Sequence, residues 1–417
     1  LSNANLLSRS EPPRASEPRQ HDTERYKVMA AGLCALVLSL GIARFAYTPL
    51  LPVMQQQAGL SPLVAGWLAT FIYLGYTAGT LLATFTKDPH RKFYLYRLCL
   101  ILAVLSTLAM GLSNDPLVWY ISRLIGGFSG IAGLLLASGL ALNWLIRTGH
   151  KPQLGLHFTG AGLGIVVTGV CTGLMLEQLS WDQQWLLLGI VGVLFLVPAW
   201  IWMPAPASLA SQPSVDNPAF NATSKRWMVL MMLAYFCGGC GYVMGATFIV
   251  DILERLPLLN GAGPWCWVIV GLAAAPSTFL WDKVAVAIGQ IRALILAYVL
   301  QAFSMLLPAI SDWVALNLLA AVLWGGTFIG IVNLTLTLVG RRFPHNPASY
   351  MAAATLGYSV SQMVAPAITG YVLSMTGEYR LALLVSTLVM FAGVAVLWLI
   401  QQLPEQPVTR AADPTSD

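Results

Sequence analysis

The sequence predicts an all-α polytopic membrane protein, with twelve transmembrane helices arranged as two six-helix bundles. Three observations carry that prediction. Of 417 residues, 57% are hydrophobic and 9% are charged, where a soluble domain carries about 25% charged. The apolar residues fall in runs of roughly 20, the length that crosses a bilayer core. The second half of the chain also echoes the first: adding 198 carries Lys27 to Lys225 and Gly41 to Gly239, and adding 199 carries Gly126 and Gly127 to Gly325 and Gly326. A repeat of this kind implies two parallel bundles, with a site between them near the midplane.

Taken in order, residues 1–26 are polar and contain Pro12, Pro13 and Pro18; they read as a disordered tail. The first bundle, 27–203, holds spans expected at 27–54, 62–86, 93–112, 117–146, 153–176 and 184–203. Gly59-Leu-Ser-Pro62, Lys87-Asp-Pro89 and Asn114-Asp-Pro116 punctuate it with turn chemistry. Residues 204–224, rich in Pro, Ser, Ala and Asn, form a cytoplasmic linker. The second bundle, 225–403, holds spans at 227–253, 262–281, 291–310, 313–340, 349–374 and 380–402, followed by a C-terminal tail, 404–417.

Charge gives orientation. Of 22 Lys and Arg, all but Arg44, Arg123, Arg255 and Arg380 lie in or beside the N-terminal tail, the linker, the C-terminal tail and the loops after spans 2, 4, 8 and 10. By the positive-inside rule those segments are cytoplasmic. The expectation is a multi-pass protein of the cell inner (plasma) membrane with both termini in the cytoplasm. A net charge of +5 scattered over short loops is no nucleic-acid footprint. No paired carboxylates, nucleophile triad or metal spacing marks the spans, so an enzyme, a metal and a cofactor are not expected. Cys237-Gly-Gly-Cys240 reads as small packing residues of a buried helix.

Two cations need an explanation. Arg44 lies 17 residues after Lys27 and 10 before Met54, about 25 Å from one end of its span and about 15 Å from the other. Charge at that depth is costly. On an α-helix Tyr47 and Thr48 would share its face. Arg123 lies about 9 Å into span 4. No Asp or Glu sits in the core of a first-half span, so a wet cavity, backbone carbonyls or an anionic solute must satisfy both arginines. For Arg123 the plainer reading is carbonyls of a neighbouring helix; for Arg44 it is contact with solute or gate. Tyr73, Tyr76, Thr80 and Thr84 make a polar stripe on span 2. Tyr242 is the repeat equivalent of Arg44 and should face the same gap. Asn333 and Gln362 are isolated polar residues, read as interhelical hydrogen bonds or solute contacts. His157 can titrate near neutrality. Asp251, with Glu254 and Arg255 beside it, reads as an outer gate or a solvated rim. Trp119, Trp185, Trp265 and Trp313, near span ends, read as interface anchors.

The run Gly41-Ile-Ala-Arg44-Phe-Ala-Tyr47-Thr-Pro-Leu-Leu-Pro52, over a chain organised in this way, resembles the YbfB/YjiJ-type branch of the major facilitator superfamily. Tyr73-Leu-Gly-Tyr76, His157-Phe-Thr-Gly-Ala-Gly162, Gly241-Tyr-Val-Met-Gly-Ala-Thr247 and Trp281-Asp282 carry the same resemblance, which covers roughly residues 26–403. It implies the superfamily's fold and a transporter working by alternating access. The loop Lys87-Asp88-Pro-His-Arg91-Lys92 and its second copy at Asp282-Lys283 are similar to the family's latch loops, although the usual glycines are missing. Span 5 has Gly160, Gly162, Gly164, Gly169 and Gly173 but no Gly-Pro pair, a departure that weakens any carry-over of antiporter behaviour, and the glycines read as close helix packing.

The expected function is transport of a small organic solute, anionic or amphipathic, between the bundles. Arg44, Tyr47, Tyr73, Tyr76, Arg123, Tyr242, Asn333 and Gln362 are the expected binding residues. Asp88, His157, Asp251 and Asp282 are expected in gating or proton coupling. The partners are the solute and the lipid bilayer, with the protein a monomer. Two alternatives stand beside this. A proton-coupled multidrug exporter for lipophilic compounds would want an acid at cavity depth, and a non-transporting membrane sensor would want linked signalling modules.

Overall fold

The computed structural model describes residues 18–86, 88–150, 154–206, 222–343 and 347–403. The linker core, 207–221, the C-terminal tail, 404–417, and residues 1–17 lie outside the described residues. The first rod comprises α1 (Pro18–Leu36), a π-helical segment (Val37–Phe45) and α2 (Tyr47–Gln57). It starts at Pro18, inside the stretch expected as tail. There follow α3 (Pro62–Phe85), α4 (Pro89–Leu112), α5 (Pro116–Arg147), α6 (Gly155–Met175) and α7 (Trp181–Trp202). The second half comprises α8 (Ala222–Glu254), α9 (Gly263–Ala274), α10 (Ser277–Ile288), α11 (Gln290–Ile310), α12 (Val314–Arg342), α13 (Pro347–Thr376) and α14 (Arg380–Gln401).

The turns end the helices for the reasons their residues suggest. Ser61, Asp88 and Asp115 each cap the following helix through the side chain, with Pro at the first helical position. Proline there gives up an N–H that would have no helical partner, and the cap oxygen satisfies another. Ten helices among the described residues are long and apolar enough to cross a membrane, and α9 with α10 forms an eleventh candidate, bent by 42°. The remaining rod, α13, has 30 residues but is interrupted by Ser, Thr, Tyr and Gln positions. The twelve rods form two bundles of six, the architecture predicted.

Within the first bundle α3 and α4 pack on α5, and α1 on α6 and α7; within the second α8 packs on α13 and α14, and α11 on α12 and α14. The bundles meet through α3 with α13, α6 with α9, and α2 with α8. Close approach needs small residues. A Cβ on Gly66 would come within 2.5 Å of the Pro366 carbonyl oxygen, and one on Gly162 within 2.7 Å of the Ala275 backbone. The span-5 glycines therefore act in packing, as expected. Just beyond Ala275, Pro276 marks the bend and α10 departs from the direction of α9.

The end of the molecule away from the chain termini is tied by Trp181 N–H donating to Gln57 Oε1 at 2.8 Å and by Arg255 Nη1 donating to the Gly377 carbonyl at 2.8 Å. Two of the expected interface anchors are core residues instead. Trp185 is fully buried, its indole N–H on Met54 Sδ at 3.4 Å, and Trp119 is buried edge-on to Trp181. A span-end position says nothing about whether a neighbouring rod covers it. Trp265 and Trp313 are exposed.

Candidate functional site

The site grows from the π-helical segment. A π-helix bonds each carbonyl to the N–H five residues on and is rarely longer than one turn. Here it spans nine residues and contains Arg44. Pro49, five residues past Arg44, has no N–H, so the Arg44 carbonyl lacks its π-helical donor. Arg123 of α5 supplies one. Its Nη2 donates to the Arg44 carbonyl at 3.3 Å and its Nη1 to the Ala43 carbonyl at 3.4 Å. The Tyr47 ring lies 4.5 Å from the Arg123 guanidinium carbon, and the Tyr47 hydroxyl donates to the Ala65 carbonyl at 3.1 Å. Arg123 and Tyr47 thus brace the irregular rod. The π segment also changes the angular register. For that reason Tyr47 does not share the surroundings of Arg44, as an unbroken α-helix would require, and stands with Arg123. Thr48 donates across the bundle boundary to the carbonyl of Ala246, its own repeat equivalent, so the two halves meet near their symmetry axis.

Arg44 is buried and surrounded by rings. Its guanidinium carbon lies 4.4 Å from the centroid of Tyr76, 5.2 Å from Tyr73, 5.3 Å from Phe45 and 5.4 Å from Tyr242. Ring faces attract a cation with about 2 kcal/mol when both are removed from water, so this cage offsets part of the cost of burying the charge. The sequence leaves water, carbonyls or solute as the partners of Arg44; the structure adds π faces. The cavities beside Lys92 and beside Ile249 are lined neither by Arg44 nor by these rings.

Three of the expected residues, Tyr73, Tyr76 and Tyr242, therefore converge on Arg44, two from α3 and one from α8. Behind Tyr242 the second bundle adds rings that sequence reasoning missed. Trp324 and Phe328 stack at 4.5 Å, Tyr235 and Tyr358 at 4.3 Å, and Tyr242 lies 5.8 Å from both Trp324 and Tyr358. Phe45 and Trp267 meet edge-on at 6.0 Å, closing the cluster across the bundles. The available signal was the spacing of Trp324 with Phe328 at i+4 and of Tyr235 with Tyr242 at i+7.

The other expected residues are placed apart from the cage or beside it. Gln362 is buried on α13, and neither its amide nitrogen nor its oxygen has a partner. Asn333 instead donates to Asp282 Oδ1 at 2.7 Å, a pair on α12 and α10. Asp88 caps α4, accepting from the Arg91 N–H at 3.0 Å, and sits 4.0 Å from the Arg91 side chain; Lys87, the other end of that expected latch, lies outside the described residues. His157 is fully buried, with Nε2 2.7 Å from Ser138 Oγ and its ring against Gly32.

Asp251 is not a solvated rim residue. It is buried, accepts from the Tyr379 hydroxyl and lies 3.6 Å from Arg255, which in turn covers the Tyr379 ring at 4.7 Å. The rim reading failed because the cover comes from Tyr379, 128 residues away.

Residues 36–398 match the family described as uncharacterised MFS-type transporter YbfB. The chain is 22% identical to the hexuronate transporter of Bacillus subtilis (strain 168) over 402 residues, covering 88% of this chain and 92% of that one. It is 25% identical to the uncharacterized transporter YebQ of Escherichia coli (strain K12) over 233 residues, covering 53% of this chain and 48% of that one. Among solved structures it is similar to the nucleoside transporter NupG, with a TM-score of 0.70 at 11% identity over 91% of this chain and 100% of that one. It is also similar to a bacterial homolog of the human lysosomal transporter Spinster, with a TM-score of 0.63 at 14% identity over 93% and 98%. At these identities the structural likeness shows the fold alone.

Proposed function

The chain belongs to the YbfB family of MFS-type membrane transporters, and from that premise we propose that it carries a small organic solute bearing an anionic group, which docks on Arg44. One observation carries the reading. Among the described residues no carboxylate lies within ion-pair distance of Arg44; the two ion pairs there are Asp88 with Arg91 and Asp251 with Arg255. A buried guanidinium held by ring faces still gains from a carboxylate, which accepts two parallel hydrogen bonds from it. The relative named for hexuronate, itself a carboxylate, agrees with this chemistry.

Alternating access fits the distribution of contacts. Thr48 to Ala246, Thr70 to the Met363 carbonyl at 2.9 Å and Gly66 to Gly370 join the bundles in the middle and in the half away from the termini. On the terminal side the named partners stay within one bundle: Tyr96 with Ala199, Arg97 with Trp200, and Trp227 with Phe343. The solute would reach Arg44 from that side. The Lys and Arg bias makes it the cytoplasmic side of an inner membrane.

The test is a thermal-shift screen of the purified protein against organic acids, repeated on Arg44→Ala and Arg44→Lys. Ligand-induced stabilisation should vanish in the first variant and weaken in the second, because Lys keeps the charge and loses the planar fork. Equal affinity in all three proteins would sink the proposal.

A further inference from the structure

Gln362 carries a consequence for the kind of solute. Its side chain is 1% exposed, and both amide atoms lack a partner. A buried amide left unpaired is expensive, and native structures rarely tolerate one without a reason. Its direction follows from its neighbours. Ser361, one residue earlier, lies against α8, where a Cβ on Gly239 would meet its hydroxyl. Met363, one residue later, faces α3, with its sulfur 3.9 Å from Thr77 Oγ1. Successive helical residues are about 100° apart, so Gln362 points opposite to the exposed Val360 and Val364 and into the bundle interface where α8 and α3 flank α13. At that interface Tyr242, one turn past Gly239, and Tyr73, one turn before Thr77, meet edge-on at 6.3 Å. Tyr358, one turn before Gln362 on its own face, lies 5.8 Å from Tyr242.

We infer that the transported anion is a planar heteroaromatic carboxylate, recognised by Arg44 at its charge, by ring faces on both bundles, and by the Gln362 amide at its in-plane edge. The inference rests on the anion reading of Arg44 and narrows it. Ring faces stack on flat solutes in offset or edge-on geometry. The faces themselves pair no hydroxyl projecting above or below a saturated ring, so such a solute has only the rim hydroxyls of the tyrosines to satisfy it, and any hydroxyl left unpaired is penalised on burial. An amide presents one acceptor and two donors in a single plane, which suits the edge of a heterocycle.

The experiment is isothermal titration of the purified full chain with four probes: nicotinate, benzoate, cyclohexanecarboxylate and glucuronate. Nicotinate should bind about tenfold tighter than cyclohexanecarboxylate or glucuronate. Gln362→Leu, which replaces an unpaired amide by an apolar side chain of similar size, should weaken nicotinate about tenfold and leave benzoate within about twofold. Arg44→Ala should abolish binding of every probe. If the saturated and sugar acids bind as tightly as the aromatic ones and all depend on Arg44, the ring inference is overturned while the anion reading stands. If binding ignores Arg44, both fall. Unchanged nicotinate affinity in Gln362→Leu, or no binding by any probe at millimolar concentration, also overturns the inference.

Discussion

Arg44 and Arg123 are the same residue type, in the same bundle, both buried in membrane-spanning rods, and neither has a carboxylate partner among the described residues. Their surroundings differ in kind. Arg123 is fastened to backbone: the carbonyls of Ala43 and Arg44, with the Tyr47 ring beside it. Arg44 is held by side chains, three rings from the first bundle and Tyr242 from the second, with the guanidinium also hydrogen-bonded to Tyr73 and Tyr76. A carbonyl on the same bundle cannot leave when the bundles rock against each other. A ring on the opposite bundle can. Under the proposed alternating access one cation keeps all its partners, whereas the other loses the Tyr242 ring.

The sharpest way to break this contrast is to remove the brace. Arg123→Leu should lower stability by about 3 kcal/mol, the worth of charge-assisted hydrogen bonds to carbonyls then left bare. Arg44→Leu should cost far less, because the rings that surround it close on an apolar side chain. Thermal unfolding of both variants in the same detergent checks the ranking, and equal losses would mean that both arginines are structural. The second test strikes the π segment from the opposite side. A Cβ on Gly164 of α6 would come within 2.6 Å of the Gly41 Cα. Gly164→Val should force the segment away from α6 and cost about 2 kcal/mol by overpacking. It should also reduce binding at Arg44, because the rod that carries Arg44 moves out of register with the rings of α3 and α8. A stable variant that binds normally would show that the π segment tolerates displacement.

The contrast was half visible in the sequence. The burial of both arginines, the absence of a nearby acid and the opposition of Arg44 and Tyr242 all follow from position and from the 198-residue repeat. So does the carbonyl role of Arg123, which depth and missing carboxylates already favour. The π segment was not visible, because hydrophobic period reports which residues are apolar and not a shift in the backbone hydrogen-bond register. That shift decides where Tyr47 goes. The outer layer of the cage was hidden for a different reason. Trp324, Phe328, Tyr235 and Tyr358 stand at helical spacings that packing alone also produces, and only the crossing of α8, α12 and α13 shows that their rings meet. Asp251 and Trp185 were misread through the same gap, since a partner far along the chain determines burial.

A smaller effect separates charge from geometry at Arg44. Arg44→Lys keeps a cation but presents a point charge where the guanidinium presents a flat fork. Carboxylate binding should fall about tenfold, equivalent to about 1.4 kcal/mol, with little change in the unfolding temperature without ligand. Calorimetry on the ligand identified by screening would measure it. A loss in stability as large as that of Arg123→Leu would place Arg44 among the structural residues.

The smallest effect bears on what holds Arg44 while no solute is bound. Tyr76 has the ring nearest the guanidinium, at 4.4 Å, and offers both a face and a hydroxyl. If the π face is what counts, Tyr76→Phe should unfold close to the parent protein, whereas Tyr76→Leu should lose about 1 kcal/mol from the missing cation–π contact. Leu is as apolar but has fewer carbons than Phe and leaves a cavity, so the difference between the two variants is an upper bound on the contribution of the ring face. A Phe variant as unstable as the Leu variant would transfer the role to the hydroxyl. The cage would then be a set of hydrogen-bond acceptors, and Arg44 would be fastened by fixed partners in the manner of Arg123. The distinction between the two cations depends on that not being so.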